Sequence, residues 1–300
     1  MKIQGAYDLH IHGGPEPIPR KYDFVTMSRE MESAGMAGFV AKSHFFSTVP
    51  YAVLAERYGA NVIWGSVVLN HFVGGINPNA VRGSLGFHRE GTPLLRIVWM
   101  PTMHAKSNLE MLKRKGIPYD IPPEWTAGEP SPGAQPLNSI PPIDLLDPLL
   151  QDPLKQVLDI IAENGAALAT GHISRDEVFH LVPLAKARGV RSIVLTHPIY
   201  PATGLSDQEM RELTTEYENV FAEMCYIFMP IDGFTAEEMV NHIRQVGPDR
   251  ILLSTDSGQI SQDAPHVTME RYLNLLSEAG FSQQELTRMV VQNPKTILGV

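Results

Sequence analysis

The most informative local pattern in the sequence is a pair of histidines near its start, in the run Asp-Leu-His10-Ile-His12. Side chains two residues apart on a β-strand point to the same side, so the two imidazoles would lie together. Neutral imidazoles are good ligands for Zn, Mn or Fe and poor occupants of an apolar core. The pattern favours a metal site, and Gly13 and Gly14 after it allow a tight turn that keeps the rings accessible.

Three more apolar runs end in a residue that can bind a metal. Ala-Leu-Ala-Thr-Gly-His172 and Ile-Val-Leu-Thr-His197 end in histidine, and Leu-Leu-Ser-Thr-Asp256 ends in a carboxylate. A buried histidine or a turn-capping aspartate would explain any one of them. Four imidazoles and one carboxylate gathered together would be costly without a positive charge. We therefore predict a divalent metal site made of His10, His12, His172, His197 and Asp256.

These residues end apolar runs in a repeated strand-then-helix pattern, which is typical of parallel α/β architecture. The predicted strands are Ala6–His12, Gly38–His44, Val62–Leu69, Leu94–Met100, Ala167–His172, Ser192–His197, Val220–Cys225 and Ile251–Thr255. The predicted helices are Tyr22–Ala34, Val49–Tyr58, Asn79–Leu85, Pro153–Asn164, Asp176–Arg188, Asp207–Tyr217 with Ser206 as N-cap, Ala236–Val246 with Thr235 as N-cap, Val267–Ala279 and Gln283–Val291. The length of 300 residues fits one barrel or two smaller domains, and eight units favour one (β/α)8 TIM barrel domain over residues 1–300.

Active sites of such barrels lie at the C-terminal ends of the strands, so polar residues there are candidates for catalysis. By that criterion His44, after strand two, and His104, after strand four, join the metal-binding residues at the rim. Lys42 belongs with them because lysine is unusual in an apolar strand. We expect these three side chains to line one cavity and act on substrate, together with Asp256 and His197.

Strand four is followed by a stretch that the repeat does not explain. Residues 116–148 contain nine prolines and several Gly and Ser, which cannot continue a helix or a central strand. We interpret residues 106–148 as an inserted loop that delays the next helix. It is either a lid over the active site or an irregular surface excursion.

The composition limits the partners and the location. A formal net charge of −9 with no basic run argues against nucleic acid or an anionic membrane as the main partner, so we expect a small-molecule substrate. The single cysteine, Cys225, rules out an intramolecular disulfide framework. The start of the sequence is too polar for a signal peptide, and no apolar run approaches ~20 residues. We expect a soluble, cytoplasmic protein; a homo-oligomer is compatible with the sequence.

The order of these motifs resembles the amidohydrolase superfamily, with His-x-His after strand one, histidines after strands five and six, and an aspartate after strand eight. The run from Gln292 to Gly299, Gln-Asn-Pro-Lys-Thr-Ile-Leu-Gly, is similar to a tail common in that superfamily. Without a β-sandwich before strand one, the chain is similar to its compact members, such as phosphotriesterase-like lactonases, TatD-like nucleases and single-metal decarboxylases. The resemblance implies a metal-dependent hydrolase, and zinc is the expected metal, with Mn or Fe as alternatives.

The resemblance also implies roles for the ligands. His10, His12 and Asp256 would bind a first metal, His172 and His197 would bind a second metal or the reacting group, and Asp256 would accept the proton of the attacking water.

Dinuclear members usually carry a bridging lysine or glutamate after strand four, and this sequence departs from that pattern. Lys106, Lys42 and Glu223 are candidates for the bridging role, and Lys42 is equally well interpreted as a substrate anchor. We therefore expect one or two metals and hydrolysis of a C–N, ester or lactone bond. A mononuclear lyase or decarboxylase is the alternative, and a non-catalytic barrel is a third interpretation.

Overall fold

Eight parallel strands, adjacent in space in the order in which they occur in the chain, form the framework of the molecule. The computed structural model describes residues 3–126, 128, 131 and 133–300. Helices lie between the strands, which confirms the predicted (β/α)8 TIM barrel. The strands are β1 Tyr7–His12, β2 Gly38–Lys42, β3 Ile63–Val68, β4 Leu95–Trp99, β5 Ala167–Ala169, β6 Ile193–Leu195, β7 Val220–Cys225 and β8 Ile251–Ser254.

The first and last strands meet where the barrel closes. The amide of His12 donates to the carbonyl of Ser257 at 2.8 Å, and the amide of Asp256 donates to the carbonyl of His10 at 2.9 Å. These bonds extend the parallel ladder beyond the end of β8. The closure therefore places the residues after β8 directly beside the histidines of β1.

The barrel interior is filled by side chains from alternate strand positions, as expected for strands whose two faces are both covered. A second and larger apolar cluster packs the helices against the outside of the strands. Trp99 of β4 is fully buried below the C-terminal mouth. The interior cluster includes Tyr7, Leu9, Val40, Val68, Ile97, Trp99, Ala167, Ala169, Val194, Phe221 and Leu252.

The helices follow the predicted order, with a few additions. Ser206 and Thr235 cap their helices as predicted, each within a capping box that Glu209 or Glu238 completes. A short hairpin of His88–Arg89 and Thr92–Pro93 and a last helix were not predicted. The helices are α1 Phe24–Ser33, α2 Val49–Arg57, α3 Pro78–Ser84, α4 Lys106–Arg114, α5 Gln151–Asn164, α6 Arg175–Ala187, α7 Asp207–Glu216, α8 Ala236–Val246, α9 Pro265–Glu278, α10 Gln283–Thr287 and α11 Asn293–Leu298.

The prediction of a delayed helix after strand four is wrong. Helix α4 begins at Lys106, seven residues after β4 ends, and buries Leu109 and Leu112. Its short amphipathic pattern stands directly before the proline-rich stretch, which obscures it in the sequence. The irregular segment therefore starts after Arg114 instead of at residue 106.

Between α4 and α5 the described residues form turns and short 3-10 helices, and they are attached to the barrel mouth. His71 Nε2 lies 2.7 Å from the carbonyl oxygen of Pro141, and the amide of Lys106 donates to the carbonyl of Ile143 at 2.9 Å. Positions 127, 129, 130 and 132 of the predicted insertion lie outside the described residues. In the described ranges, none of the helices has the length and apolar character needed to cross a membrane.

Candidate active site

Two histidines of β1 and one aspartate after β8 form the centre of the site. His10 and His12 lie two residues apart on β1, and their ring centroids are 5.5 Å apart. The Nε2 atom of His10 lies 3.2 Å from Asp256 Oδ1, and the Nε2 atom of His12 lies 3.1 Å from the same oxygen. The structure thus brings three of the predicted ligands to one point at the C-terminal mouth.

Two further histidines come from neighbouring strands. His172 follows β5 and His197 follows β6, and their ring centroids are 5.4 Å apart. His197 Nε2 lies 3.2 Å from Asp256 Oδ2, so one carboxylate faces three imidazoles. His172 Nδ1 lies 3.3 Å from Asn108 Oδ1 on α4. Among the described residues, the buried His172 Nε2 and His197 Nδ1 have no hydrogen-bond partner, which is costly unless a ligand supplies one.

The backbone is strained at two of these residues. His197 has φ 46° and Asp256 has φ 53°, both in the left-handed region that non-glycine residues rarely adopt. Such strain costs on the order of 1 kcal/mol or more and persists where the surrounding structure enforces it, commonly at functional sites. Both residues lie two positions after the end of a strand, and both line the cavity at the mouth.

A fully buried lysine and glutamate flank His10 on its two ring nitrogens. Lys42 Nζ lies 2.8 Å from Nε2 and 4.4 Å from the centroid of the Trp99 ring. Glu223 Oε2 lies 3.1 Å from Nδ1. A carboxylate at Nδ1 favours the tautomer that carries its proton there, which leaves the Nε2 lone pair to accept a hydrogen bond from Lys42 or to bind a metal. Glu223 therefore lies on the Nδ1 side of the His10 ring, and Lys42 lies on its Nε2 side.

Burial controls the protonation of the histidines. It lowers the pKa of His10, and burial followed by the charge of Arg20 holds the pKa of His12 well below its usual range. Burial likewise lowers the pKa of His172. Burial alone would raise the pKa of Asp256, but His10 and the other facing imidazoles outweigh it and hold that pKa well below its ordinary value. Neutral imidazoles beside an ionised carboxylate are the forms that bind a metal.

These groups open into one cavity at the barrel mouth. His44 lies in it, with its Nδ1 atom 2.9 Å from Thr102 Oγ1. Trp125, from the predicted insertion, stacks on the His44 ring with centroids 5.2 Å apart and planes inclined by 11°. The cavity is lined by His12, Arg20, Lys42, His44, Trp125, His172, His197, Tyr200, Ile227, Phe228, Ile231, Asp232, Asp256 and Gln259.

Two sequence-predicted residues lie elsewhere. His104 Nε2 lies 3.3 Å from Asp120 Oδ2, and its Nδ1 atom accepts a hydrogen bond from the amide of His71. Lys106 Nζ forms an exposed ion pair with Asp144 at 2.8 Å. Neither lines the cavity, because the chain turns into α4 after strand four. In the described residues, no acidic or lysine side chain from that turn enters the site.

Several cavity residues escaped the sequence reasoning. Trp125 lies in a short 3-10 helix, and Arg20, Tyr200, Asp232 and Gln259 lie in loops. Neither kind of segment carries a periodic pattern that indicates where a side chain points. Burial raises the pKa of Asp232 to about 6 and raises that of Tyr200 well above its ordinary value. A polar residue within a few positions of a strand end is the one signal that would have marked Asp232 and Gln259.

The arrangement fits a divalent metal. Ligand atoms of His10, His12 and Asp256 lie within 4.8 Å of one another. Two atoms each ~2.1 Å from a tetrahedral ion would be ~3.4 Å apart, close to the observed separations of Nε2 and Oδ1. Two imidazoles and a carboxylate suit Zn, Mn or Fe. A second set, which shares His10, comprises His197, Glu223 and Cys225.

Several solved structures are similar to this protein over nearly its whole length. The structure is similar to a lactonase from Listeria monocytogenes, with 12% sequence identity, a TM-score of 0.64, and 99% of this chain and 95% of that chain covered. A second match is an amidohydrolase from Burkholderia multivorans with bound zinc, with 10% identity, a TM-score of 0.56, and 98% and 99% covered. A third is N-acetyl-D-glucosamine-6-phosphate deacetylase from Mycobacterium smegmatis, with 16% identity, a TM-score of 0.54, and 99% and 76% covered.

These likenesses, all below 20% identity, concern the fold and agree with the predicted (β/α)8 barrel. No curated protein matches the sequence significantly. A family model described as a family of unknown function, DUF6282, matches residues 5–223, which is more than half of the chain. The chain therefore belongs to the DUF6282 family.

Proposed function

We propose that the protein is a metal-dependent hydrolase that uses activated water to cleave a C–N, ester or lactone bond of a small molecule. The observation that carries this proposal is the convergence of His10 Nε2 and His12 Nε2 on Asp256 Oδ1 at the barrel mouth. The barrel class supports it, because the structures similar to this chain include a lactonase and a deacetylase.

In the proposed site, His10, His12 and Asp256 hold a first divalent metal. Such a metal, when bound, lowers the pKa of water toward ~7 and polarises the oxygen of the scissile group. Glu223 keeps the proton of His10 on Nδ1 and so orients the ring. His172 and His197 offer buried nitrogens to a second metal or to the substrate.

Asp256 is the proposed proton acceptor. Its Oδ2 atom faces His197 while Oδ1 faces the β1 histidines, so one carboxylate reaches both the metal position and the cavity. Because its pKa is held well below the ordinary value, the group is ionised, which is the protonation state that a proton acceptor needs. A bound metal would lower the pKa of the attacking water and so reduce the basicity that this proton transfer demands.

A mononuclear lyase or decarboxylase is the second candidate, and a specific observation favours it. Among the described residues, strand four and the turn after it supply no bridging carboxylate or lysine to the cavity, whereas the buried Lys42 amine stands beside His10. Isotopic labelling separates the two reactions. Incorporation of oxygen from labelled water into the product indicates hydrolysis, and release of CO2 without it indicates decarboxylation.

The central test is metal content together with activity. The purified protein is analysed for metal per chain and assayed against a panel of lactones, esters and amides, before and after chelation and after restoring zinc or manganese. We expect about one or two ions per chain, and hydrolysis that is lost on chelation and restored by metal. Hydrolysis unaffected by complete removal of metal would refute the proposal.

Ligand variants test the assignment of residues. His10→Ala and His12→Ala are expected to lose bound metal and keep the barrel folded, since these side chains serve the rim. His180→Ala is the matched control, because His180 lies on α6 and contacts Gln151 outside the cavity. Metal content equal to that of the wild type in either ligand variant would show that the metal position is elsewhere.

A further inference from the structure

Arg20 is a buried arginine of the loop after β1 that lines the cavity. Only 2% of its side chain is exposed. Its position is fixed by the backbone, because Arg20 pairs with Gln259 and the next amide, that of Lys21, donates to the carbonyl of Gly258 at 3.0 Å. The guanidinium is thus held beside the loop that carries Asp256.

One edge of the Arg20 guanidinium is already occupied. Its Nε atom donates to Glu16 Oε1 at 2.6 Å, and the other carboxylate oxygen of Glu16 accepts a hydrogen bond from Ser43 Oγ at 2.6 Å. The Glu16 side chain is itself fully buried. This pair fixes the orientation of the guanidinium plane, as expected for a side chain that is organised before its ligand arrives.

The other edge is free to bind a ligand. An arginine carries five N–H donors, and in the described part of the chain the hydrogen bonds of the Arg20 side chain are limited to the Nε contact with Glu16. The two terminal nitrogens present a planar fork that matches the two oxygens of a carboxylate or phosphate. The side chain lines the cavity, so these donors face a space that a ligand can enter.

We propose that Arg20 is a substrate-binding residue and that the substrate carries a carboxylate or phosphate group, which the Nη atoms of Arg20 bind. This inference rests on the proposed hydrolase and specifies its substrate class. The reacting bond lies at His12 and Asp256, so the anionic group belongs to a part of the substrate on the Arg20 side of the cavity. Lys42 is less suited to this task because its Nζ atom contacts His10.

The test measures the binding of simple anions by calorimetry, in both zinc-loaded and metal-free protein. The probes are succinate, inorganic phosphate and the neutral diamide succinamide. Wild-type protein is expected to bind one of the anions about 10- to 100-fold more tightly than succinamide, the range for hydrogen bonds to charged groups. The better of the two anions identifies the group as carboxylate or phosphate.

Variants attribute the preference to Arg20. The double variant Arg20→Met with Glu16→Gln removes both charges of the pair and is expected to abolish the preference. The control is Arg89→Met with Glu56→Gln, which removes a more exposed Arg–Glu pair near the start of β3, outside the cavity. Arg20→Lys keeps the charge and loses the fork, so it is expected to weaken anion binding several-fold even if the double variant fails to fold.

The outcomes separate this inference from the proposed hydrolase. An anion preference that persists in the double variant, or in Arg20→Lys at wild-type strength, overturns the role of Arg20, as does a wild type without preference for either anion. Failure of the wild type to bind metal overturns the hydrolase, whereas the anion preference is read independently in the metal-free protein.

Discussion

Gly258 offers the sharpest test of how the backbone holds the site. Its φ of +137° is a conformation that other residues rarely adopt, and it lies two residues after Asp256. A Cβ added here would lie 2.7 Å from the carbonyl carbon of His12, 2.9 Å from the Cβ of His12, and closer still to the His12 carbonyl oxygen. Because the carbonyl belongs to the backbone, no side-chain rotation can relieve the clash.

The magnitude of the effect follows from these distances. Non-bonded carbons prefer ~3.5 Å or more, so the backbone of Gly258 or His12 must move by about 1 Å. Overpacking of this kind costs about 1–3 kcal/mol, and the strained φ adds about 1 kcal/mol or more. We expect Gly258→Ala to lower the free energy of unfolding by about 2–4 kcal/mol and to weaken metal binding about 10- to 100-fold, the range for disturbing the support of a ligand.

The assay combines thermal unfolding with metal competition against a chelator. Gly59→Ala is the control, because Gly59 also has a positive φ, +77°, but an added Cβ there meets nothing within 4 Å. The control is expected to lose about 1 kcal/mol of stability and no metal affinity. If Gly258→Ala binds metal as tightly as the wild type, the close approach to His12 does not position the ligand and the reasoning fails.

Three further predictions concern side chains of the site. Asp256→Asn should retain much of the metal and lower kcat on the best substrate of the panel about 10²- to 10⁴-fold. A near-normal kcat would show that another residue is the general base. Glu223→Gln should weaken metal binding about 10-fold or more in chelator competition, because it removes the charged acceptor at His10 Nδ1, and unchanged affinity would contradict this. Trp125→Ala should raise KM with unchanged metal content if the insertion covers the substrate; an unchanged KM would argue against a lid.

Much of the barrel was predictable because a short run of neighbouring residues in the sequence indicates each strand. Apolar runs punctuated by Gly or Pro located the eight strands of the barrel, and β7, Val220–Cys225, was predicted to the residue. The last predicted residues of several strands, such as His172 and His197, lie just beyond them. They follow the strands with a turned backbone, and periodicity does not detect where a ladder stops.

The sequence by itself also determined the central histidines and the aspartate. A period of two places His10 and His12 on one side of β1, and the parallel barrel brings the ends of all its strands to one rim. These two facts predict, without coordinates, that the imidazoles of His10 and His12 lie close to the Asp256 carboxylate. The same reasoning predicted that Lys42 and His44 line the cavity, and in the structure both residues line it.

Tertiary structure alone decided which further residues join them and where these side chains point. The contact of Glu223 with His10 spans 213 residues, and Arg20 reaches the cavity only because its loop pairs with Gln259 after β8. His104 follows a strand, as the site residues do, but the chain turns into α4 and pairs it with Asp120. A loop has no repeating pattern to orient its side chains, so their directions depend on where distant segments pack against it.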